Sequence, residues 1–294
     1  MSSPTIVITG ATGGIGLHTA LGVAAHDSKP HVVLTGRDQA RGEEAVERVK
    51  QASGNPNISL MLGDLSDQGS LNDLAQRLVQ QHPRIDVLIN NAGMLSTQLK
   101  HNAQGAELCF YVNVVAPYAL TQALLPALKA AEHARVLNIT GGLMTDRIDP
   151  QDMQAQKGYV ALSSYSHTKR LMEAMSLWQS RALDPSEVSV HVIYPGAAST
   201  SMTQAMSFKS LPWWMRPFWP VFSMFMQRDD DGKSAAKAAR SSIWAAFAPE
   251  LRQTTGHYYD TKCRRKSLNS SVLDETNQAL VMKEIERFYV PPNA

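Results

Sequence analysis

Six short runs rich in β-branched and other apolar residues, at 5–9, 31–35, 58–62, 87–90, 136–140 and 188–194, alternate with segments long enough to be helices. Two of those segments show helical apolar spacing: Ala45, Val46, Val49 and Ala52 in one, Leu71, Leu74 and Leu78 in the other. Strands that are apolar almost throughout need cover on both faces. Helix-length connections return the chain to the starting end of the sheet, so the alternation predicts a doubly wound parallel sheet with helices on each side. No repeat or low-complexity linker divides the 294 residues, and a single α/β domain over 1–294 is expected. After residue 194 the pattern breaks. A Pro-, Trp- and Met-rich stretch at about 200–228 precedes a helix near 232–247, a short strand near 257–259 and a terminal helix near 272–289.

Charge and cysteine usage narrow the function classes. With 28 Lys and Arg against 26 Asp and Glu, the chain carries +2 and lacks the basic excess of a nucleic-acid partner. Its one dense basic run, Lys262, Arg264, Arg265 and Lys266, reads as a solvated loop. Cys109 and Cys263 form no CxxC, and the histidines show neither HxxxH nor HExxH, so no metal site is expected. The first ten residues lack a charged stretch followed by a long apolar one, which makes a reducing, cytoplasmic location the expectation.

The first strand runs into TGATGGIG (9–16), with Gly10, Gly14 and Gly16 where strand becomes helix. Glycines there let the backbone approach a pyrophosphate at a helix N-terminus. The second strand ends in LTGRD, with Arg37 twenty-one residues beyond Gly16. A carboxylate at that tip would suit the ribose 2′-hydroxyl of NAD, whereas a guanidinium suits a 2′-phosphate, so NADP(H) is favoured. Asp38 reads as the N-cap of the next helix. Further on, YSHTK places Tyr165 and Lys169 four apart, on one helix face. An ammonium beside a phenol lowers the phenol pKa and equips it to exchange a proton with a substrate oxygen.

With both motifs in place, the chain resembles the short-chain dehydrogenase/reductase family over essentially its whole length, and within it the retinol-dehydrogenase-like branch. The branch rests on the TGRD turn, the long gap before YSHTK, the aromatic segment LPWWMRPFWPVFSMFM and the TGHYYDTK ending. The resemblance implies a Rossmann-type fold and a cofactor site. In TGATGGIG it implies Gly10, Thr12, Gly14, Ile15 and Gly16; in GDL, Asp64 and Leu65; in NNAG, Asn91, Ala92 and Gly93; and in PGAAST, Pro195 and Thr200. Arg37, Tyr165 and Lys169 complete the set. Tyr165 is the implied proton donor or acceptor, Lys169 its partner and a ribose ligand, and Asn113 of YVNVVAPY the anchor of a relay water. Association through the helices before the fourth and fifth strands is common in similar proteins, which makes a homodimer one possible assembly, though the aromatic insertion could change it.

The fifth strand departs from the family pattern. Aligned with the usual RVVNVSS, RVLNITG puts Gly141 where a catalytic serine is expected. Three readings stand. Another hydroxyl compensates, from Thr140 (which should point the other way on a regular strand), Ser163 or Ser164. The substrate manages without the donor, whose loss costs on the order of 10²–10³ in rate. Or the chain binds nucleotide without turnover. The aromatic stretch is too short and too interrupted, by Arg216 and by prolines 212, 217 and 220, to span a membrane. It reads as a helical lid walling the pocket for a bulky lipophilic molecule, with peripheral membrane contact as the alternative. The expected function is NADP(H)-dependent hydride transfer to or from a lipophilic carbonyl, imine or alcohol. A non-redox enzyme on the same scaffold and a nucleotide-sensing protein are the alternatives.

Overall fold

In the computed structural model, residues 3–141, 147–226 and 230–291 are described. Gly142, residues 227–228 of the aromatic stretch and the side chains of Phe225 and Met226 lie outside the described set. One eight-stranded sheet organises the chain in the order β3-β2-β1-β4-β5-β6-β7-β8, with β8 (Arg265–Lys266) at its far edge. Its parallel strands are β1 (Thr5–Ile8), β2 (His31–Gly36), β3 (Ile58–Leu62), β4 (Val87–Asn90), β5 (Ala134–Ile139), β6 (Val188–Ile193) and β7 (His257–Tyr259). The chain steps outward from β1 to β3, then crosses back to lay β4 on the other side of β1. That reversal opens a crevice beyond the carboxyl ends of β1 and β4, where ligands bind in such sheets. The doubly wound Rossmann-type expectation holds.

Alternation along each strand builds two cores. Ile6 and Ile8 face the helices Gly14–Ala24, Gln39–Ser53 and Lys233–Phe247. Val7, between them, faces Gln68–Gln81 and the long helix Leu108–Lys129. Asp38 and Asp67 cap two of these helices, Asp38 by accepting from Arg41 N at 2.9 Å, as the sequence leads one to expect. Leu108–Lys129 is, among the described residues, the one helix long and apolar enough to cross a membrane, and most of it is buried in the core. Its Tyr111–Val115 turn is a π-bulge, a feature that concentrates at functional sites.

Two expectations need correction at the far edge. Within the basic run, Arg265–Lys266 form an eighth strand, antiparallel to β7, with both side chains exposed; pairing to the Tyr258–Tyr259 backbone gives order to what reads as a loop. The terminal helix is two pieces, Ser270–Leu273 and Glu275–Glu286, because the Asp274 carboxylate caps the second at Thr276 N and Asn277 N. The aromatic stretch folds as short turns at Ser201–Gln204, Phe208–Ser210 and Trp213–Phe218, then the helix Trp219–Met226.

Candidate active site

The glycine loop after β1 is shaped by its neighbours. Gly10 has φ +63°, and a Cβ there would stand 2.9 Å from the Ala92 Cα in the turn after β4. Asn91 spans the same junction, its Nδ2 donating to Thr9 O at 2.8 Å and Gly10 O at 3.2 Å. Ala92 N donates to Thr9 Oγ1 at 2.9 Å. The NNAG turn thus braces the glycine loop from across the crevice. At the third strand's exit, Asp64 Oδ1 accepts from Ser66 N at 2.9 Å and Ser66 Oγ at 2.7 Å. Every residue that the resemblance assigns to the cofactor, from Gly10 to Thr200, lines one cavity of about 540 Å³.

Arg41 lines that cavity beside Arg37, and sequence reasoning missed it. Its guanidinium lies 3.1 Å from where a Cβ on Gly13 would stand, directly over the loop. A signal existed. Arg41 sits in the first turn of its helix, where the dipole disfavours a cation, so its placement calls for another cause.

The reactive end is carried by the helix Ala161–Ala182, which lies across the exit of β5. Lys169 is 3% exposed and donates through Nζ to Ile139 O at 2.9 Å, the last carbonyl of β5. Its Nζ is 5.8 Å from the Tyr165 ring centroid. Burial pulls the Lys169 pKa down to about 8, against the opposing pull of the Glu173 carboxylate. The Tyr165 phenol is pushed above its usual range, by burial first and then by Cys109 and Tyr194. This is the reverse of the lowering expected from Lys169. Desolvation of a phenolate is the larger effect here, against an ammonium 5.8 Å from the ring centroid.

Gly141 faces Tyr165 as the alignment requires. A Cβ at 141 would stand 2.9 Å from the Tyr165 hydroxyl oxygen, so the room released by the glycine is taken by the phenol itself. Thr140 points the other way, its Oγ1 donating to Glu173 Oε1 at 2.6 Å. Neither Ser163 nor Ser164 lines the cavity. Asn113 is fully buried outside the cavity. Its Oδ1 accepts from Met94 N at 2.8 Å, while Nδ2 donates to Met94 O and Thr168 Oγ1, each at 2.9 Å. It ties the chain after NNAG to the Tyr165 helix.

Glu173 also escaped the sequence reading. It is wholly buried four residues beyond Lys169, ion-paired with Arg170 at 2.8 Å, and burial raises its pKa. Lys169 and Glu173 therefore grip consecutive residues of the strand exit, Ile139 and Thr140, just before Gly141. A carboxylate continuing the four-residue spacing of Tyr165 and Lys169 was the available signal.

Beyond Tyr165 the cavity turns apolar, walled by Leu95, Leu108, Val112, Leu162, Met206 and Phe222. Met206 and Phe222 come from the aromatic stretch, whose Leu211, Met215 and Trp219 pack with Leu162 around the Tyr165 ring.

The site's segments recur in known proteins. The family model for short chain dehydrogenases matches residues 4–210. Retinol dehydrogenase 12 of Mus musculus is 29% identical over 266 residues, 90% of this chain and 79% of that enzyme. Retinol dehydrogenase 13 of Homo sapiens is 29% identical over 258 residues, 87% of this chain and 76% of that enzyme. The resemblance to the retinol-dehydrogenase-like branch is thus upheld. A crystal structure of an uncharacterized Mycobacterium paratuberculosis protein shares the fold at a TM-score of 0.72 and 21% identity, covering 98% of this chain and 96% of that one. A short chain dehydrogenase from Shigella flexneri, solved with NADP, follows at 0.65 and 24%, covering 89% and 98%. Since the matched region contains the glycine loop, β1 to β6 and the Tyr165–Lys169 helix, the chain belongs to the short chain dehydrogenase family and is an oxidoreductase.

Proposed function

We propose that this oxidoreductase uses NADP(H) to transfer hydride to or from a bulky lipophilic carbonyl, imine or alcohol. The observation carrying this reading is one cavity with two unlike halves meeting at Tyr165. In the polar half, the glycine loop, in which Gly10 has φ +63° and no room for a Cβ against Ala92, lines the cavity together with Arg37 and Arg41. That loop fits a pyrophosphate, and the two guanidiniums fit a 2′-phosphate. NADP bound to the Shigella flexneri structure is in keeping with this. Bound there, the cofactor supplies or accepts the hydride.

The chain's own residues do the rest. The glycine loop and Arg37 hold the phosphates. Tyr165, whose phenol stays protonated at neutral pH, gives its hydroxyl proton to the substrate oxygen or nitrogen during reduction. Lys169, tied to Ile139 O, sets the position of the helix face and the charge beneath the ring. Asn113 and Thr168 fix the same helix against the NNAG turn. The apolar wall excludes water and selects a lipophilic body, and retinol, which the relatives' names carry, is the first alcohol to try. The test is NADPH oxidation, followed at the nicotinamide absorbance band, over a panel of lipophilic aldehydes and ketones. Turnover that is lost in Tyr165→Phe while NADPH still binds supports the reading, and full activity in that variant defeats it.

Gly141 favours a second reading, because the family's oxyanion donor is missing there. Under it the chain senses nucleotide or performs non-redox chemistry. Tight NADPH binding with no turnover on the panel, or product formed without NADPH consumption, selects it.

A further inference from the structure

The aromatic stretch bears two apolar stripes, one residue out of step. Met215, Trp219 and Phe222 pack inward around Leu162 and Tyr165. Trp214, Phe218, Val221 and Met224 repeat at the same helical spacing on the other side and are 56%, 63%, 57% and 62% exposed, with Trp213 at 78%. An apolar segment belongs in an interior, and here Trp213, Trp214, Phe218, Val221 and Met224 face solvent instead. Six of the eleven large hydrophobics exposed among the described residues fall within 208–224, where they form a patch rather than scattered singles.

The charges around the patch indicate what covers it. Between Glu187 and Asp229 the sequence contains no Asp or Glu, while Lys209 and Arg216 are both exposed within the patch. Arg216 is anchored through Nε to Leu211 O at 3.3 Å. Tryptophans and phenylalanines flanked by cations without a carboxylate match the headgroup region of an anionic bilayer, where indole rings partition and basic side chains meet lipid phosphate. A second copy of the chain is a poorer fit. A two-fold contact through this face would bring Lys209 and Arg216 toward their own counterparts, with no carboxylate from the segment to answer them.

We infer that the outer face of residues 208–224 docks on the surface of an anionic phospholipid membrane. The inner face of the same segment walls the lipophilic half of the cavity, so the docked surface and the pocket share one thin wall. Docking itself does not require the oxidoreductase reading, and it is tested without turnover.

The full chain is mixed with phosphatidylcholine vesicles with and without phosphatidylserine, then followed by flotation and by tryptophan emission. Wild type is expected to float with the anionic vesicles and to shift its emission to the blue. The combined variant Trp213→Ser, Trp214→Ser, Phe218→Ser is expected to lose at least about tenfold in vesicle affinity with its far-UV circular dichroism unchanged. Should that variant misfold, Lys209→Glu with Arg216→Glu keeps the apolar face and is expected to abolish the preference for anionic lipid. Absence of vesicle binding by wild type overturns the inference. So does binding that survives both variants, or a wild-type dimer that fails to bind vesicles and becomes monomeric in the triple variant.

Discussion

The two halves of the cavity are recognised by different physics. In the proposed nucleotide half the binding falls to the backbone: Gly10 at φ +63°, the helix beginning at Gly14, and the NNAG turn bonded back to Thr9 and Gly10. Backbone recognition demands particular residues at fixed local spacing, so it leaves contiguous motifs. In the substrate half the wall is made of side chains from four separate segments, Leu95, Leu108 with Val112, Leu162, and Met206 with Phe222. Any apolar residue of the right volume serves there, and nothing in the local sequence marks which will meet. Tyr165, Lys169 and Gly141 stand on the seam between the halves.

The sharpest test of that seam is Tyr165→Phe. If the phenol serves chemistry and the glycine cradle serves binding, kcat falls by about 10³ while the NADPH dissociation constant stays within about twofold. Single-turnover absorbance and NADPH fluorescence titration measure the two separately. A parallel loss of binding would show that the halves are not independent.

Arg37→Ala with Arg41→Ala tests the nucleotide half alone. Charge-assisted bonds of this kind contribute roughly 1.5–3 kcal/mol each, so the pair should weaken NADPH by about 10² or more and leave NADH nearly unchanged. The single variants apportion the effect. If Arg41→Ala alone changes nothing, its position over Gly13 is packing against the loop and not phosphate recognition.

How much was legible follows the same division. Six strands and their order of succession could be read from alternation, and the glycine loop and Arg37 from motif spacing, while the other residues expected at the cofactor came with the family resemblance. Arg41 was hidden because a helix-start arginine looks like surface. Glu173 was hidden because a charged residue on a helix is normally solvated, and only its tertiary bond to Thr140 reveals it as buried. The aromatic stretch was legible as apolar, interrupted by Pro212, Pro217 and Pro220, but its spacing does not tell which of its two stripes faces the core. Which side chains turn inward is decided by packing on Leu162 and not by any local pattern. The strand Arg265–Lys266 owes its existence to pairing with β7, a contact that two exposed basic residues do not announce.

Gly141→Ser probes the substrate side of the seam with a smaller expected effect. A Cβ meets the Tyr165 oxygen at 2.9 Å, and the far end of that side chain must yield by a few tenths of an ångström. The new hydroxyl then lies beside the phenol as a second donor. Reduction of a small ketone should rise about tenfold, a fraction of what one oxyanion donor is worth, while KM for a bulky substrate increases. Steady-state kinetics on one small and one bulky carbonyl read both. No change in either would mean that the substrate oxygen does not come to rest near residue 141.

A thermodynamic test, separate from turnover, concerns Lys169, whose side chain is buried where the halves join. An unfolded lysine holds its proton up to a pKa of 10.5, and the folded one releases it near 8. Below pH 8 both states are charged and the folded state bears the full cost of burying the ammonium. Between 8 and 10.5 the unfolded chain binds more protons, so stability rises with pH through this group. Lys169→Met removes the titration. The stability of wild type relative to that variant should therefore improve by about 2 kcal/mol between pH 7.5 and 9.5, and tyrosine ionisation, common to both proteins, cancels in the comparison. Urea midpoints at the two pH values give the difference. An unchanged difference would place the lysine in contact with water on the cofactor side, and the seam would have to be drawn between Tyr165 and Lys169 instead of behind them both.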